Sequence, residues 1–165
     1  MTLQAGLSAV FGLRDPESWR RHANPFSVYT RIPITVALAL AVWSRVWLGW
    51  WALVPVAAVV VWTAVNPRVF PAPRTFDSWA SRAVLGEKYW GERKLRPVPK
   101  RHRTAPLVLG ALSAAGLPFL VWGLLVYDPW LTAFGVAVQT AGKLWFMDRM
   151  ALLCDDMTVV DTDAG

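Results

Sequence analysis

The chain has 165 residues and a net charge of +6; 55% of its residues are hydrophobic and 17% charged. That charged share lies well below the roughly 25% of soluble domains, so an ordinary soluble fold is excluded. The single cysteine, Cys154, excludes an internal disulfide and any cysteine-based metal site.

Residues 1–13 are mildly apolar and lack the charged start of a secretory signal. They fit either a short helix on a membrane surface or a disordered segment. Asp15-Pro16-Glu17 is a helix start: Asp caps, Pro fits the first turn, and Glu suits the positive end of the dipole. Asn24-Pro25 ends that helix, because a residue before proline avoids the α region.

Residues 32–65 carry one charge, Arg45. As a single helix they would be about 51 Å long, against a hydrocarbon core of ~30 Å. The chain must therefore turn back, and Ser44 to Gly49 is the best place. This predicts spans over 28–44 and 48–65, with Pro55 bending the second and Asn66-Pro67 ending it. Residues 105–142 carry only Asp128. They predict a span over 105–126, with a bend at Pro118. Asp128-Pro129 then opens another span over 130–147, continuing to about 156 before an acidic, frayed tail.

Between these pairs lies the loop 66–104, with ten basic and three acidic residues. The two bends carry only Arg45 and Asp128. By the positive-inside rule the loop and both termini are cytoplasmic, in a multi-pass cell-membrane protein. Within the loop, Phe76, Trp79, Ala80, Ala83, Val84 and Trp90 recur at helical spacing. They predict an amphipathic helix over 76–91, followed by an extended basic strap over 93–103. Of eleven tryptophans, Trp43, Trp47, Trp50, Trp51, Trp122 and Trp130 lie around the bends and Trp62 and Trp145 near the opposite helix ends, as aromatic belts do. The Ala, Val, Arg and Trp richness is that of a high-GC bacterium. Small pairs four apart, Ala37/Ala41, Gly110/Ala114 and Ala137/Ala141, would let helices approach closely.

The candidate site is the set of polar residues at the cytoplasmic helix ends: Arg31, Arg68, Arg82, Glu87 and Lys143 as ligand-binding residues. Lys143 lies deep in its helix, where a charge either snorkels or faces the bundle interior. Glu87 is its better carboxylate partner, because Asp148 lies five residues on and points elsewhere. Arg31 reads as an interface anchor or as a phosphate contact shared with Arg68 or Arg82. His22 reads as solvated, or as a general base. The chain has no carboxylate–histidine set at helical metal spacing, no Gly-rich phosphate loop and no nucleophile elbow. No metal, no cofactor and no catalytic residue is therefore assigned. The basic strap suits anionic lipid headgroups rather than nucleic acid.

Four segments carry a family likeness: Arg21-His-Ala-Asn-Pro-Phe-Ser-Val-Tyr-Thr-Arg31, Asn66-Pro-Arg-Val-Phe-Pro71, Ser78-Trp-Ala-Ser-Arg-Ala-Val-Leu-Gly-Glu-Lys-Tyr-Trp90 and Lys143-Leu-Trp-Phe-Met-Asp148. Together they resemble a family of small prokaryotic integral membrane proteins known only as a domain of unknown function, over roughly residues 19–150. Phe26 stands where that pattern has tryptophan. The resemblance implies a small membrane protein and supplies no activity, substrate or cofactor.

The expectation is one all-α membrane domain over 1–165: four short spans as two hairpins plus a cytoplasmic amphipathic helix. Three functions stay open. The first is a non-enzymatic component that binds anionic lipid or a partner membrane protein through its basic face. The second is a small transporter or channel built as a homo-oligomer. The third is a membrane enzyme acting on a phosphate-bearing lipid.

Overall fold

A computed structural model describes residues 16–163. The expectations for residues 1–13, for Asp15 and for residues 164–165 lie outside the described residues. The architecture is all-helical, with no strand among the described residues.

Helices α1 (Pro16–His22) and α2 (Pro25–Arg31) meet at Asn24. The Asn24 Oδ1 accepts from the backbone N–H of Phe26 at 2.9 Å, and Pro25 fills the first turn of α2. Helix α3 (Ile34–Trp43) starts afresh after Pro33, which has no N–H with which to continue α2. The expected unbroken span over 28–44 is thus two helices meeting at Ile32-Pro33.

The chain then reverses through α4 (Arg45–Leu48) and a 3-10 turn (Gly49–Ala52) into α5 (Leu53–Val69). Gly49 takes φ 54°, a conformation strained for residues with a Cβ. Helices α3 and α5 pack on each other. Pro55 sits in the first turn of α5, where a missing N–H costs nothing, so it is not a mid-helix bend. Asn66-Pro67 lies inside α5, which continues to Val69; the pair is not the breaker its composition suggested.

Helix α6 (Trp79–Gly91) is capped by Ser78, whose Oγ accepts from the Ser81 N–H at 3.1 Å. After a 3-10 turn (Lys100–His102) come α7 (Ala105–Val126) and α8 (Pro129–Asp163), the latter 35 residues long. Asp128 caps α8, its Oδ1 accepting from the N–H of Trp130 at 2.9 Å and of Leu131 at 3.0 Å. Arg45 ties the two bends together. Its guanidinium donates to the Leu124 carbonyl and lies 4.3 Å from the Tyr127 ring centroid.

Helices α7 and α8 run antiparallel with their backbones almost touching. Gly116 faces Gly135 and Gln139, Gly123 faces Thr132, and Gly142 faces Ser113. A Cβ added at Gly135 would meet the Leu120 backbone at 2.2 Å. The seam therefore runs on glycines one heptad apart on each helix, not on the Gly110/Ala114 pair: Gly110 has nothing within 4 Å. Below the seam α8 packs on α6. Ala80, Ala83 and Val84 meet Met147 and Ala151, while Met150, Leu153 and Met157 close over Val98 of the basic strap. Two stretches, Pro25–Val69 and Lys100–Val126, are long and apolar enough to cross a membrane.

Candidate functional site

A buried polar clasp fixes the lower end of the first helices. Ser27 Oγ donates to Asn66 Oδ1 at 2.7 Å, and Asn66 Nδ2 donates to Thr30 Oγ1 at 2.8 Å. Asn24 Nδ2 donates to the Pro71 carbonyl at 2.9 Å, and Ser81 Oγ to the Ala23 carbonyl at 2.8 Å. Asn24, Ser27, Asn66 and Ser81 are all buried, so each of these bonds stands in place of water. The clasp joins α2, α5 and α6, and sets where His22 and Arg31 point.

Above it lies a cavity of about 280 Å³ lined by His22, Arg31, Glu87 and Lys143, with Thr35, Thr63 and apolar side chains completing the wall. Arg31 is held at its base: Nε donates to the Ser27 carbonyl at 3.0 Å and Nη2 to the His22 carbonyl at 3.0 Å. Its Nη1 lies 3.0 Å from His22 Nδ1 and 2.5 Å from Nε2. Arginine only donates, so one of the two ring nitrogens must accept and the ring is neutral. Burial, then the nearby charges of Arg31 and Lys143, pushes the His22 pKa down to about 3. Three of the five guanidinium N–H groups are used in this way, which leaves two.

Glu87 faces both cations across the cavity. Burial raises its carboxyl above the ordinary range, against the pull of Arg31 and then of Lys143. Lys143 lines the cavity while keeping exposed surface, so it stands at the rim. Among the described residues, neither Glu87 nor Lys143 makes a hydrogen bond or an ion pair within 4 Å. Two positive groups and one carboxyl thus share a space large enough to admit a small anion.

The remaining sequence candidates lie elsewhere. Arg68 is exposed and bonds the Ala64 carbonyl of its own helix at 2.7 Å. Arg82 grips both oxygens of Asp155 at 3.0 Å. Five residues separate Arg82 from Glu87, which puts them on different faces of α6. Asp148 accepts from Trp79 Nε1 at 3.2 Å, away from the cavity. His22, read from sequence as solvated, is buried and belongs to the cavity wall. Its partner Arg31 lies across a helix break, and no spacing rule pairs the two.

The basic strap is partly committed inside the protein. Arg101 Nε donates to Asp156 at 2.6 Å, and the His102 ring meets the same carboxylate. Those hydrogen bonds, together with the positive charges, hold Asp156 below the usual carboxylate range although burial alone would raise it. Arg93 lies over the Trp90 ring and Arg96 over Tyr89. Lys94, Lys100 and Arg103 remain exposed. At mid-helix Gln139 the backbone carbonyl accepts from Ser113 Oγ at 3.0 Å, across the α7–α8 seam.

In comparisons with known proteins, the model of a family of unknown function, DUF6653, matches residues 2–165. No curated protein and no solved structure matches the chain.

Proposed function

The chain belongs to DUF6653, a family of unknown function, and since membership brings no reaction with it, we propose from the site that this is a multi-pass membrane protein binding the phosphate group of an anionic membrane component at its cytoplasmic face. In this reading the two bends at 44–52 and 127–128 face outward. The two helix pairs, α3 with α5 and α7 with α8, cross as hairpins. The basic 70–104 segment and both termini lie in the cytoplasm, following the charge asymmetry.

The observation that carries the reading is the pair of cations, Arg31 and Lys143, set across one cavity from a carboxyl that pairs with neither. Charges at membrane depth are costly and persist where they pair or bind. Here the pairing partner is left to a ligand. Arginine suits phosphate through its planar donors, and lysine as a point charge. The exposed Lys94, Lys100 and Arg103 add a general attraction to anionic lipid.

Native mass spectrometry in mild detergent tests this. Wild type is expected to retain a phosphate-bearing lipid, and Arg31→Gln and Lys143→Gln to lose it by tenfold or more. Arg68→Gln and Arg82→Gln are expected to keep it. Equal retention by all four variants would reduce Arg31 and Lys143 to interface anchors. A second reading, an enzyme acting on the same lipid, is favoured by one observation: the raised, unpartnered carboxyl of Glu87 is what a general acid requires. Turnover lost in Glu87→Gln with binding intact would select it.

A further inference from the structure

A second cavity, of about 510 Å³, lies between the same two helices that flank the first. The charged cavity touches α3 at Ile34 and Thr35, and α8 at Lys143 and Met147. The second touches α3 from Val36 to Trp43 and α8 from Pro129 to Ala137. One helix is followed upward in sequence while the other is followed downward. The two spaces therefore succeed each other along a single α3–α8 groove. From Thr35 to Trp43 the groove climbs about 12 Å at ~1.5 Å per residue.

The upper part is apolar. Its one hydroxyl, Thr132 Oγ1, is spent on the Asp128 carbonyl at 2.7 Å. Small side chains, Ala39, Ala133 and Ala137, make the room, and Trp43 and Trp47 stand at its far end. On the other side of α8 the glycine seam with α7 leaves no space. At about 510 Å³ the upper space is of single-ligand size, which limits it to one chain.

We infer that this groove holds a single-chain amphiphile with a phosphate monoester head, the head among Arg31, Glu87 and Lys143 and the chain against Ala39, Trp43 and Ala133. The inference rests on the phosphate reading above and adds the chain. Charge complementarity selects the occupant. Two cations set against a single carboxyl suit the roughly −1.5 to −2 charge of a phosphate monoester. A second copy of this chain, itself carrying a net charge of +6, brings no such anion. Spaces of a few hundred Å³ are the size of ligand pockets, not of packing gaps.

Binding to the purified full chain in mild detergent separates the elements with three probes. Lysophosphatidic acid carries both head and chain. Glycerol 3-phosphate carries the head alone, and lysophosphatidylcholine the chain without a free monoester. Lysophosphatidic acid is expected to bind at least tenfold tighter than either. Ala133→Trp fills the groove from an exposed position. It is expected to weaken lysophosphatidic acid at least tenfold with an unchanged melting temperature, and Ala137→Leu to do the same to a smaller degree. If glycerol 3-phosphate binds as tightly and both groove variants are silent, the chain inference falls while the phosphate site stands. If lysophosphatidylcholine binds as tightly and Arg31→Gln is silent, the headgroup assignment falls, and with it the proposed amphiphile, leaving only an apolar chain site. Binding of none of the three overturns both.

Discussion

At one end of the molecule Met150, Leu153 and Met157 are 2% exposed or less, beneath α6 and the basic strap; at the other, Trp50, Trp51 and Trp130 are at least 76% exposed. The lower end is built as proteins in water are, with large apolar side chains turned inward and ion pairs such as Arg82–Asp155 on the outside. The upper end is inverted. Leu40, Val60, Val61 and Trp122 turn outward, and the helices meet through Gly116, Gly123, Gly135 and Gly142 instead. That inversion is what the proposed membrane placement calls for: in lipid, apolar side chains gain nothing by hiding, and close backbone approach holds helices together. The cavity lies where the two regimes join, which is why charged and apolar groups share its wall.

The sharpest test of this contrast is Gly135→Leu. A Cβ there would run into the Leu120 backbone, which cannot yield cheaply. Thermal unfolding in mild detergent is expected to show a loss of about 3 kcal/mol or more. Gly110→Leu, into open space, is the matched control and is expected to stay within about 0.5 kcal/mol. Equal losses would mean that glycine position does not matter. Next in size is Met150→Ala, which opens a hole in the lower core and is expected to cost roughly 2–5 kcal/mol by the same measurement.

Much of the upper end is legible in sequence. Apolar runs too long for one crossing force a reversal near Ser44, and Gly49 supplies it. Asp128-Pro129 announces a helix start that the structure contains. The helical spacing over 76–91 announces α6, although the Ser78 cap starts it three residues later, at Trp79. Pro33 also announced its break, but a count of apolar residues passes over it. The charged cavity is only half legible. The depth of Lys143 in an apolar helix marks it as unusual, and Glu87 is its natural counter-charge. Nothing local says that His22 folds under Arg31, or that Arg82 is taken by Asp155, 73 residues away. The polar clasp is hidden for the same reason: Asn66 looks like a turn residue until Ser27 is found beside it.

A smaller effect concerns pH. The His22 pKa falls from 6.5 to about 3 on folding. The unfolded chain therefore takes up a proton below pH 6.5 while the folded chain does not until about 3. Stability from this group is complete above 6.5 and drains away as pH falls toward 3. Glu87 acts oppositely: its raised pKa means that folding loses stability as pH rises past its ordinary 4.5. Melting curves from pH 7 to pH 5 in a Glu87→Gln background read the histidine above the range in which Asp156, also depressed, contributes. They are expected to slope downward with acid, and His22→Gln to flatten them. A flat profile with His22 present would mean that the ring is not held neutral. Smallest of all is Trp50→Ala at the outer bend, where the ring touches little protein. Its unfolding free energy in detergent is expected to stay within about 0.5 kcal/mol of wild type.

Helix α8 runs unbroken from the glycine seam past Lys143 to the buried methionines and on to Asp163. Such a rod is a strut clamped twice, by the contact of Gly135 with the Leu120 backbone and by that of Gly86 with the Met150 backbone. Fifteen residues separate the two clamps, about 22 Å. Lys143 lies between them, so whatever draws it toward the groove has to strain one clamp or the other.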